Sequence, residues 1–458
     1  MTRNGTPLRK RSVFALLGQR ALMTVDLFGK NELANHAAAG AYGFLLSAAP
    51  AFLIAAILVS FSFRSSPEAA LGLLSTVGGL GSALDAEEVA ASFLTSRASG
   101  FSGLVAVANL LWTARVFAVS LQRGVRVVFS GGPKSSPLRD NALSFGIELA
   151  AVAYALAIAF SSKAALAFLA ASGAVKALPL LEPLLRATAA VLPVAGLLLL
   201  AYGAYRILPT EKPARRAAAE GAVVCVAAFA VVSKIFRLLV NTSRYDLLYG
   251  TLGELIVLLA NVYFFFSFFF LGAQLAFVAD SFDSLVFSRF RRAKESGKTS
   301  SLERRLFSSP EGFLKKFARS YADGEVLFVR AEASREIYFV VSGEIGICLG
   351  EKEAADEREV ARIGAGNFLG EMAYLLSEAR TATARSRGDS VVLALPPELF
   401  DVVLRSDSET ARNVISALSE RLKRSNESFS RGLAGPEGLP PSGGASSGSN
   451  GSAAAEVP

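Results

Sequence analysis

Gly366-Asn367-Phe368-Leu369-Gly370-Glu371-Met372-Ala373-Tyr374-Leu375-Leu376-Ser377-Glu378-Ala379-Arg380-Thr381-Ala382-Thr383 is the stretch on which the reading of this chain turns. Two glycines, Gly366 and Gly370, bracket a short apolar step. A carboxylate, Glu371, opens the mostly apolar run Met372–Leu376, and Arg380 follows nine residues after Glu371. Upstream, Ile337–Val341 and Ile345–Leu349 are apolar-rich and alternating, with Ser342-Gly343 between them as a hairpin turn. Downstream, Val391–Leu395 reads as a further strand. Between Thr410 and Arg424, Ala411, Val414, Ile415, Leu418 and Leu422 fall at helical spacing. Short strands followed by an amphipathic helix predict a β-roll with a C-terminal lid over residues 317–431.

The chain around this unit is different in kind. It has 458 residues, enough for two or three domains, and 52% of them are hydrophobic. Long uncharged runs fill the first 280 residues. Ala37–Phe63, Ala98–Leu121, Asn141–Ser162, Ala187–Tyr205, Ala217–Val240 and Leu255–Ala279 each approach or exceed the roughly 20 residues that cross a bilayer. The fold class expected is therefore a polytopic α-helical membrane bundle of about six spans plus a cytoplasmic β-roll with flanking helices.

The net charge of +8 is distributed as the positive-inside rule requires, which accounts for it without a nucleic-acid partner. Arg9, Lys10, Arg11, Arg20 and Lys30 precede the first span. Arg123, Arg126, Lys134 and Arg139 lie between the second and third, Arg206, Lys212, Arg215 and Arg216 between the fourth and fifth, and Arg289, Arg291, Arg292 and Lys294 after the sixth. The first intervening loop is acidic, with Glu68, Asp85, Glu87 and Glu88. This alternation puts both termini in the cytoplasm.

The 317–431 unit resembles the cyclic-nucleotide-binding domain of catabolite activators, protein kinase A regulatory subunits and gated channels. The resemblance carries five residues as ligand contacts: Gly370, Glu371, Ala373, Arg380 and Thr381. In such a domain Arg380 would grip the cyclic phosphate with its planar, permanently charged fork. Glu371 would accept the ribose 2′-hydroxyl, and Gly370, lacking a Cβ, would let the backbone approach the sugar. Met372–Leu376 would be a short helix with N–H groups, Ala373's included, turned to the phosphate, and Thr381 would add a hydroxyl. Gly324, Gly343 and Gly366 fall where the family places turn glycines. Ala331 departs from the pattern, a glycine before an acid being usual there, and Ala379 stands where proline often precedes the arginine. The competing reading is a degenerate roll in which Glu371 and Arg380 pair with each other. The ligand implied is cAMP, with cGMP second; no other cofactor is expected.

The membrane half resembles the YihY/BrkB family of bacterial inner-membrane proteins. Tyr42 with Leu46-Ser47 and Pro50, Leu110-Leu111-Trp112 with Ala114-Arg115, Tyr205-Arg206-Ile207-Leu208-Pro209, Tyr249-Gly250-Thr251-Leu252 and Leu271-Gly272-Ala273-Gln274-Leu275 carry the resemblance, in order, over roughly residues 10–285. Gln274 stands where the family usually has Glu. The resemblance implies an inner-membrane location. Members were once labelled ribonuclease BN, but metal-dependent hydrolysis needs clustered His and carboxylate ligands. The chain has one histidine, His36, and two distant cysteines, Cys225 and Cys348, so neither a metal site nor an enzyme is expected.

Charges inside spans tend to mark polar pathways or structural pairs. Asn109, Arg115 and Glu148 form the candidate intramembrane polar site, against the alternatives of interhelical pairing and snorkelling. The domain plan is a basic N-terminal segment (1–34), a transmembrane domain (35–280), a basic juxtamembrane linker (281–316), the nucleotide domain (317–431) and a Gly/Ser/Ala/Pro-rich tail (432–458). The linker reads as a helix on anionic lipid, a coupling element or a solvated spacer. Function is then either a transporter- or channel-like body regulated by cyclic nucleotide, or a membrane-anchored sensor or scaffold without transport. Partners expected are the bilayer and the nucleotide, with a homo-oligomer left open.

Overall fold

The computed structural model describes residues 13–62, 100–129, 181–239, 251–295, 301–307, 310–349, 358–407 and 409–416, with isolated positions 146, 154, 418, 419 and 423. Leu33–Ser62 holds no Asp, Glu, Lys or Arg and forms one helix, α2, of 30 residues, about 45 Å long at 1.5 Å per residue. It follows α1, Val13–Lys30, and precedes α3, Gly100–Val128, α4, Leu181–Ile207, α5, Arg215–Leu239, and α6, Thr251–Asp280. The first, second, fourth, fifth and sixth expected spans coincide with α2 to α6. The third, Asn141–Ser162, lies outside the described residues apart from Gly146 and Tyr154. Among the described residues, Arg215–Leu239 and Leu255–Asp280 are long and apolar enough to cross a membrane, with Val191–Ile207 a shorter apolar helix.

Close backbone approach organises the bundle. Where α5 crosses α6, a Cβ on Gly272 would lie 2.9 Å from the Cβ of Cys225, and one on Gly221 would meet the Gly272 carbonyl. Only glycine permits this crossing. A cluster of rings fills the space between α2, α3 and α6: Phe44, Phe117 and Phe266 sit 5.7 to 6.3 Å apart. Buried Tyr205 of α4 donates its hydroxyl to the Phe269 carbonyl at 2.6 Å. Gln274 is fully buried on α6, and its Oε1 accepts from Asn31 Nδ2 at 3.1 Å.

After the bundle come three short helices: α7, Phe282–Glu295, α8, Ser301–Phe307, and α9, Glu311–Phe317. The linker's readings are a helix on lipid, a coupling element or a solvated spacer, and burial along α7 speaks against the solvated spacer. Phe287, Phe290 and Val286 are buried, and so are Arg289 and Arg291. The apolar residues at helical spacing draw the helix inward, and Asp26 and Glu303 meet Arg289.

The roll is an antiparallel sheet. Its strands are β1, Ala318–Tyr321, β2, Val326–Phe328, β3, Ile337–Leu349, β4, Arg358–Gly364, β5, Phe368–Leu369, and β6, Thr383–Leu395. The order is β1-β6-β3-β4, with β2 on β6 and β5 on β3. Helix α10, Glu371–Leu376, follows β5, and α11, Pro397–Ser406, follows β6. Phe328, Tyr338, Val340, Ile345, Ile363, Leu369, Ala384, Val392 and Ala394 form the interior. Ser342-Gly343 is not the hairpin turn expected. It is a bulge inside the single strand β3, which pairs with β6 on both sides of it, from Ile337↔Leu395 to Cys348↔Thr383. Gly343 has φ +88°, and a Cβ there would lie 2.8 Å from the Ser390 Cα, so the strand bends where only glycine fits. Beyond Ser406 the chain forms a separate unit. Its residues 409–416 are helical and capped by Asp407, whose carboxylate accepts from Glu409 N at 3.2 Å and from Thr410 Oγ1 at 2.8 Å.

Candidate functional site

The cassette is short, and each piece has a local cause. β5 ends at Leu369, Gly370 turns the chain at φ +81°, and α10 begins at once with Glu371. A Cβ at Gly370 would lie 3.2 Å from the Glu336 carbonyl and collide with the Arg380 guanidinium. Both the backbone conformation and the packing therefore require glycine. Ser377 ends the helix in a left-handed conformation, and the chain returns through Arg380 into β6.

Arg380 is 3% exposed. Its Nη1 donates to the Gly370 carbonyl at 2.9 Å, and its Nη2 to the Glu336 carbonyl at 2.6 Å and, more weakly, to Ser334 Oγ at 3.4 Å. The guanidinium stacks over the Phe328 ring at 4.3 Å and lies 5.7 Å from that of Tyr338. Its Nε makes no hydrogen bond. Burial pulls the pKa of this arginine below its ordinary value, while Tyr338, Glu332, Glu336 and Glu371 favour the charge. An arginine starts so far above neutrality that it stays charged. Its backbone is held as well: Arg380 N donates to the Glu332 carbonyl at 3.0 Å, and Ala331 N donates to the Arg380 carbonyl at 2.8 Å.

Of the five cassette residues, the structure joins Gly370 to Arg380 and sets Glu371 near enough to favour the arginine's charge. Glu371 and Ala373 are each 3% exposed on α10, and Thr381 is exposed. A helix of six residues has little dipole, so the electrostatic weight here rests on Arg380. A buried, permanent cation whose Nε–H is uncommitted, near a carboxylate that favours its charge, suits a monoanionic sugar phosphate.

Four further residues surround Arg380, and the sequence reading missed them. Ser334 and Glu336 act through a hydroxyl and a main-chain carbonyl, which leave no pattern in sequence. Phe328 and Tyr338 look like ordinary strand hydrophobes. Tyr338 also donates its hydroxyl to Glu336 Oε2 at 3.0 Å. Burial, followed by the charge and hydrogen bond of Glu336, pushes the phenol's pKa up.

The intramembrane candidates fare differently. Arg115 is exposed on α3, close in sequence to Trp112, which is 67% exposed. The side chain of Asn109 and the whole of Glu148 lie outside the described residues. Among the described residues no group of His, Cys, Asp and Glu is arranged to hold a metal.

A profile of the family described as "Virulence factor BrkB" matches residues 24–294, and one of the "Cyclic nucleotide-binding domain" matches residues 318–407. A Rhodopseudomonas palustris protein named "Putative potassium channel protein" is 30% identical over 107 residues, 23% of this chain and 25% of that protein. The "Cyclic AMP receptor protein" of Thermus thermophilus is 29% identical over 108 residues, 24% of this chain and 50% of the relative. The chain therefore spans between a quarter and a half of the length of these curated relatives. Among solved structures, the crystal structure of the Thermus thermophilus catabolite activator protein is 25% identical, with 31% of this chain and 62% of that chain covered and a TM-score of 0.25. Since the first profile covers more than half of the 458 residues, the chain belongs to the BrkB family, with a cyclic nucleotide-binding domain joined to its C-terminal side.

Proposed function

We propose that this protein is a non-enzymatic, multi-pass protein of the bacterial inner membrane whose body is regulated by a cyclic nucleotide, cAMP before cGMP, bound in the cytoplasm. The body has six spans with both termini cytoplasmic, and it acts as a transporter or channel. The observation that carries the regulatory part is Arg380. It is 3% exposed and charged, it touches Gly370, and its Nε is uncommitted. The name of the Rhodopseudomonas palustris relative supports a gated body, and that of the Thermus thermophilus relative supports cAMP.

The test is calorimetric titration of the full chain in detergent with cAMP and then cGMP. A dissociation constant on the order of 1 μM is expected, worth about 8 kcal/mol. Arg380→Lys is the informative variant, because an ammonium keeps the charge and can still serve a buried carbonyl. It loses the bidentate grip, a charge-assisted bond of about 1.5–3 kcal/mol, so affinity should fall about 10- to 150-fold. A folded chain that binds neither nucleotide would end this reading.

The second reading, a membrane-anchored sensor or scaffold without transport, is favoured by the exposure of Arg115 on the outer face of α3, away from the ring-filled interior. Flux measured in proteoliposomes with and without nucleotide separates the two. Nucleotide-dependent flux that an Arg115→Gln variant abolishes supports a pathway. Flux at background together with retained binding supports the scaffold.

A further inference from the structure

The BrkB match ends at residue 294 and the nucleotide-domain match begins at residue 318. The last helix of the membrane body, α7, is nevertheless packed directly on the roll. Phe287 of α7 meets Phe339 of β3 edge to face at 5.4 Å and Phe368 of β5 at 6.1 Å. Lys294 donates to the Val341 carbonyl of β3. On its other side, Arg289 forms ion pairs with Asp26 of α1 and Glu303 of α8. The Arg289 side chain is only 8% exposed. It is therefore poorly screened, unlike a surface pair.

The roll end of this contact runs without a gap to the cassette. Phe368 is the residue of β5 two positions before Gly370, and it packs on Phe339 at 5.1 Å and on Phe400 of α11 at 5.4 Å. Phe400 stands perpendicular to Tyr374 of α10 at 5.4 Å, and the Tyr374 hydroxyl donates to Asp401. Further along the same α11, Arg405 pairs with Glu211 in the loop between α4 and α5. A displacement of α10 therefore has a packed route to the membrane body and, beside it, an exposed ion pair. The packed route passes through Phe400, Phe368 and Phe287 to α7 and, by Arg289, to α1. The ion pair links α11 to Glu211. Close-packed rings repack between discrete arrangements and do not absorb displacement as a liquid would.

We propose that α7 is the transmission element of this protein: Phe287 receives the position of the cassette, and the Arg289–Asp26 pair delivers it to α1. The assignment rests on the nucleotide-binding reading of Arg380 and Glu371. It makes the segment next to the membrane a working part of the sensor, and α1, which precedes the first span, its output.

The test uses the full chain in lipid nanodiscs, with cAMP as the probe. Calorimetry reads binding, and hydrogen exchange by mass spectrometry reads α10, α7 and α1. The variants are Phe287→Leu, which removes the ring but keeps a large apolar side chain, and Asp26→Asn, which removes one carboxylate at the far end. In the wild type, cAMP should change exchange in residues 371–376 and also in residues 13–30, by about fivefold for a coupling of ordinary size. In both variants cAMP should still bind and still change 371–376, while the change in 13–30 disappears. A change confined to the roll in the wild type overturns the proposal and leaves nucleotide binding standing. So does a change in 13–30 that survives in both variants. A wild-type chain that binds no cAMP removes the binding reading and this proposal with it.

Discussion

Ala331 occupies a left-handed backbone conformation, φ +66°, at the position where the resemblance to nucleotide-binding domains leads one to expect glycine. The left-handed region brings the Cβ of an L-residue against its own carbonyl, at a cost of about 1–2 kcal/mol. The strain persists because the turn is held from both sides: Ala331 N donates to the Arg380 carbonyl at 2.8 Å, and Arg380 N donates to the Glu332 carbonyl at 3.0 Å. Ala331→Gly removes the strain but frees the unfolded chain, which takes back about 0.4–1 kcal/mol. The net expectation is a roll more stable by about 0.5–1 kcal/mol. The mirror experiment is Gly324→Ala, at φ +76° with nothing within 4 Å of the added Cβ. It should destabilise the roll by a similar amount, because only the backbone term changes. Hydrogen exchange of the β3 amides, followed in the full chain where opening is in rapid equilibrium, should slow about two- to fivefold for Ala331→Gly and quicken about as much for Gly324→Ala. If Ala331→Gly leaves exchange unchanged or quickens it while Gly324→Ala behaves as expected, the Ala331 turn is not under strain and the argument fails.

Gly370→Ala, which needs a strained φ and drives a methyl into Arg380, should lower roll stability by about 0.5–1 kcal/mol from the backbone, with the collision adding to it, and weaken cAMP binding; thermal unfolding and calorimetry check each. Burial alone would raise the pKa of the Asp26 carboxyl, but Lys30 and Arg289 outweigh it and hold it below its ordinary value. The stabilisation from Asp26 is therefore complete above its unfolded value of about 3.9, and it is lost as pH falls through the lower folded value. The melting temperature should be insensitive to this group from about pH 7 to 5 and should drop below about pH 4, a drop that Asp26→Asn makes shallower. Gly221→Val, at the crossing of α5 and α6, should overpack the bundle and cost about 1–3 kcal/mol, read as a lower thermal midpoint in detergent.

What was legible in the sequence was what lies close together along the chain. The cassette from Gly366 to Thr383 is contiguous, and its Gly370 and Arg380 meet in the roll. Among the described residues, five of the six apolar runs coincide with helices, because helical hydrogen bonds are local. Ser342-Gly343 was misread because a glycine that bends one strand and a glycine that joins two have the same local sequence. Only pairing with β6, about 40 residues on, distinguishes them. The packing of α7 was hidden for a related reason. Arg289 looks solvent- or lipid-bound until Asp26, 263 positions earlier, is seen to meet it. The wall around Arg380 was half hidden too, since Ser334 and Glu336 contribute a hydroxyl and a carbonyl that no motif records.

The occupied state of Arg380 has a consequence for how binding and motion are linked. Its Nη1 and Nη2 already satisfy the carbonyls of Gly370 and Glu336, in the cassette and at the start of β3. A phosphate that engages Nη1 or Nη2 as well as the uncommitted Nε would share or displace those bonds, and its affinity would be the difference between the new contacts and the old. Whatever Gly370 loses must be made good by a shift of the cassette, since a buried carbonyl left without a donor is costly. Gly370 is continuous with α10, and α10 is tied through Tyr374 to Asp401 and Phe400. If Arg380 recognises the ligand as proposed, it also ties the cassette to the start of β3 through these two carbonyls. Arg380→Lys separates the two duties. One ammonium cannot bridge both carbonyls with the same fork, so even without nucleotide, exchange in residues 371–376 should quicken relative to the wild type. Unchanged exchange there would mean that the cassette is held by the ring packing of Tyr374 and Phe400 alone, and that Arg380 serves recognition without latching.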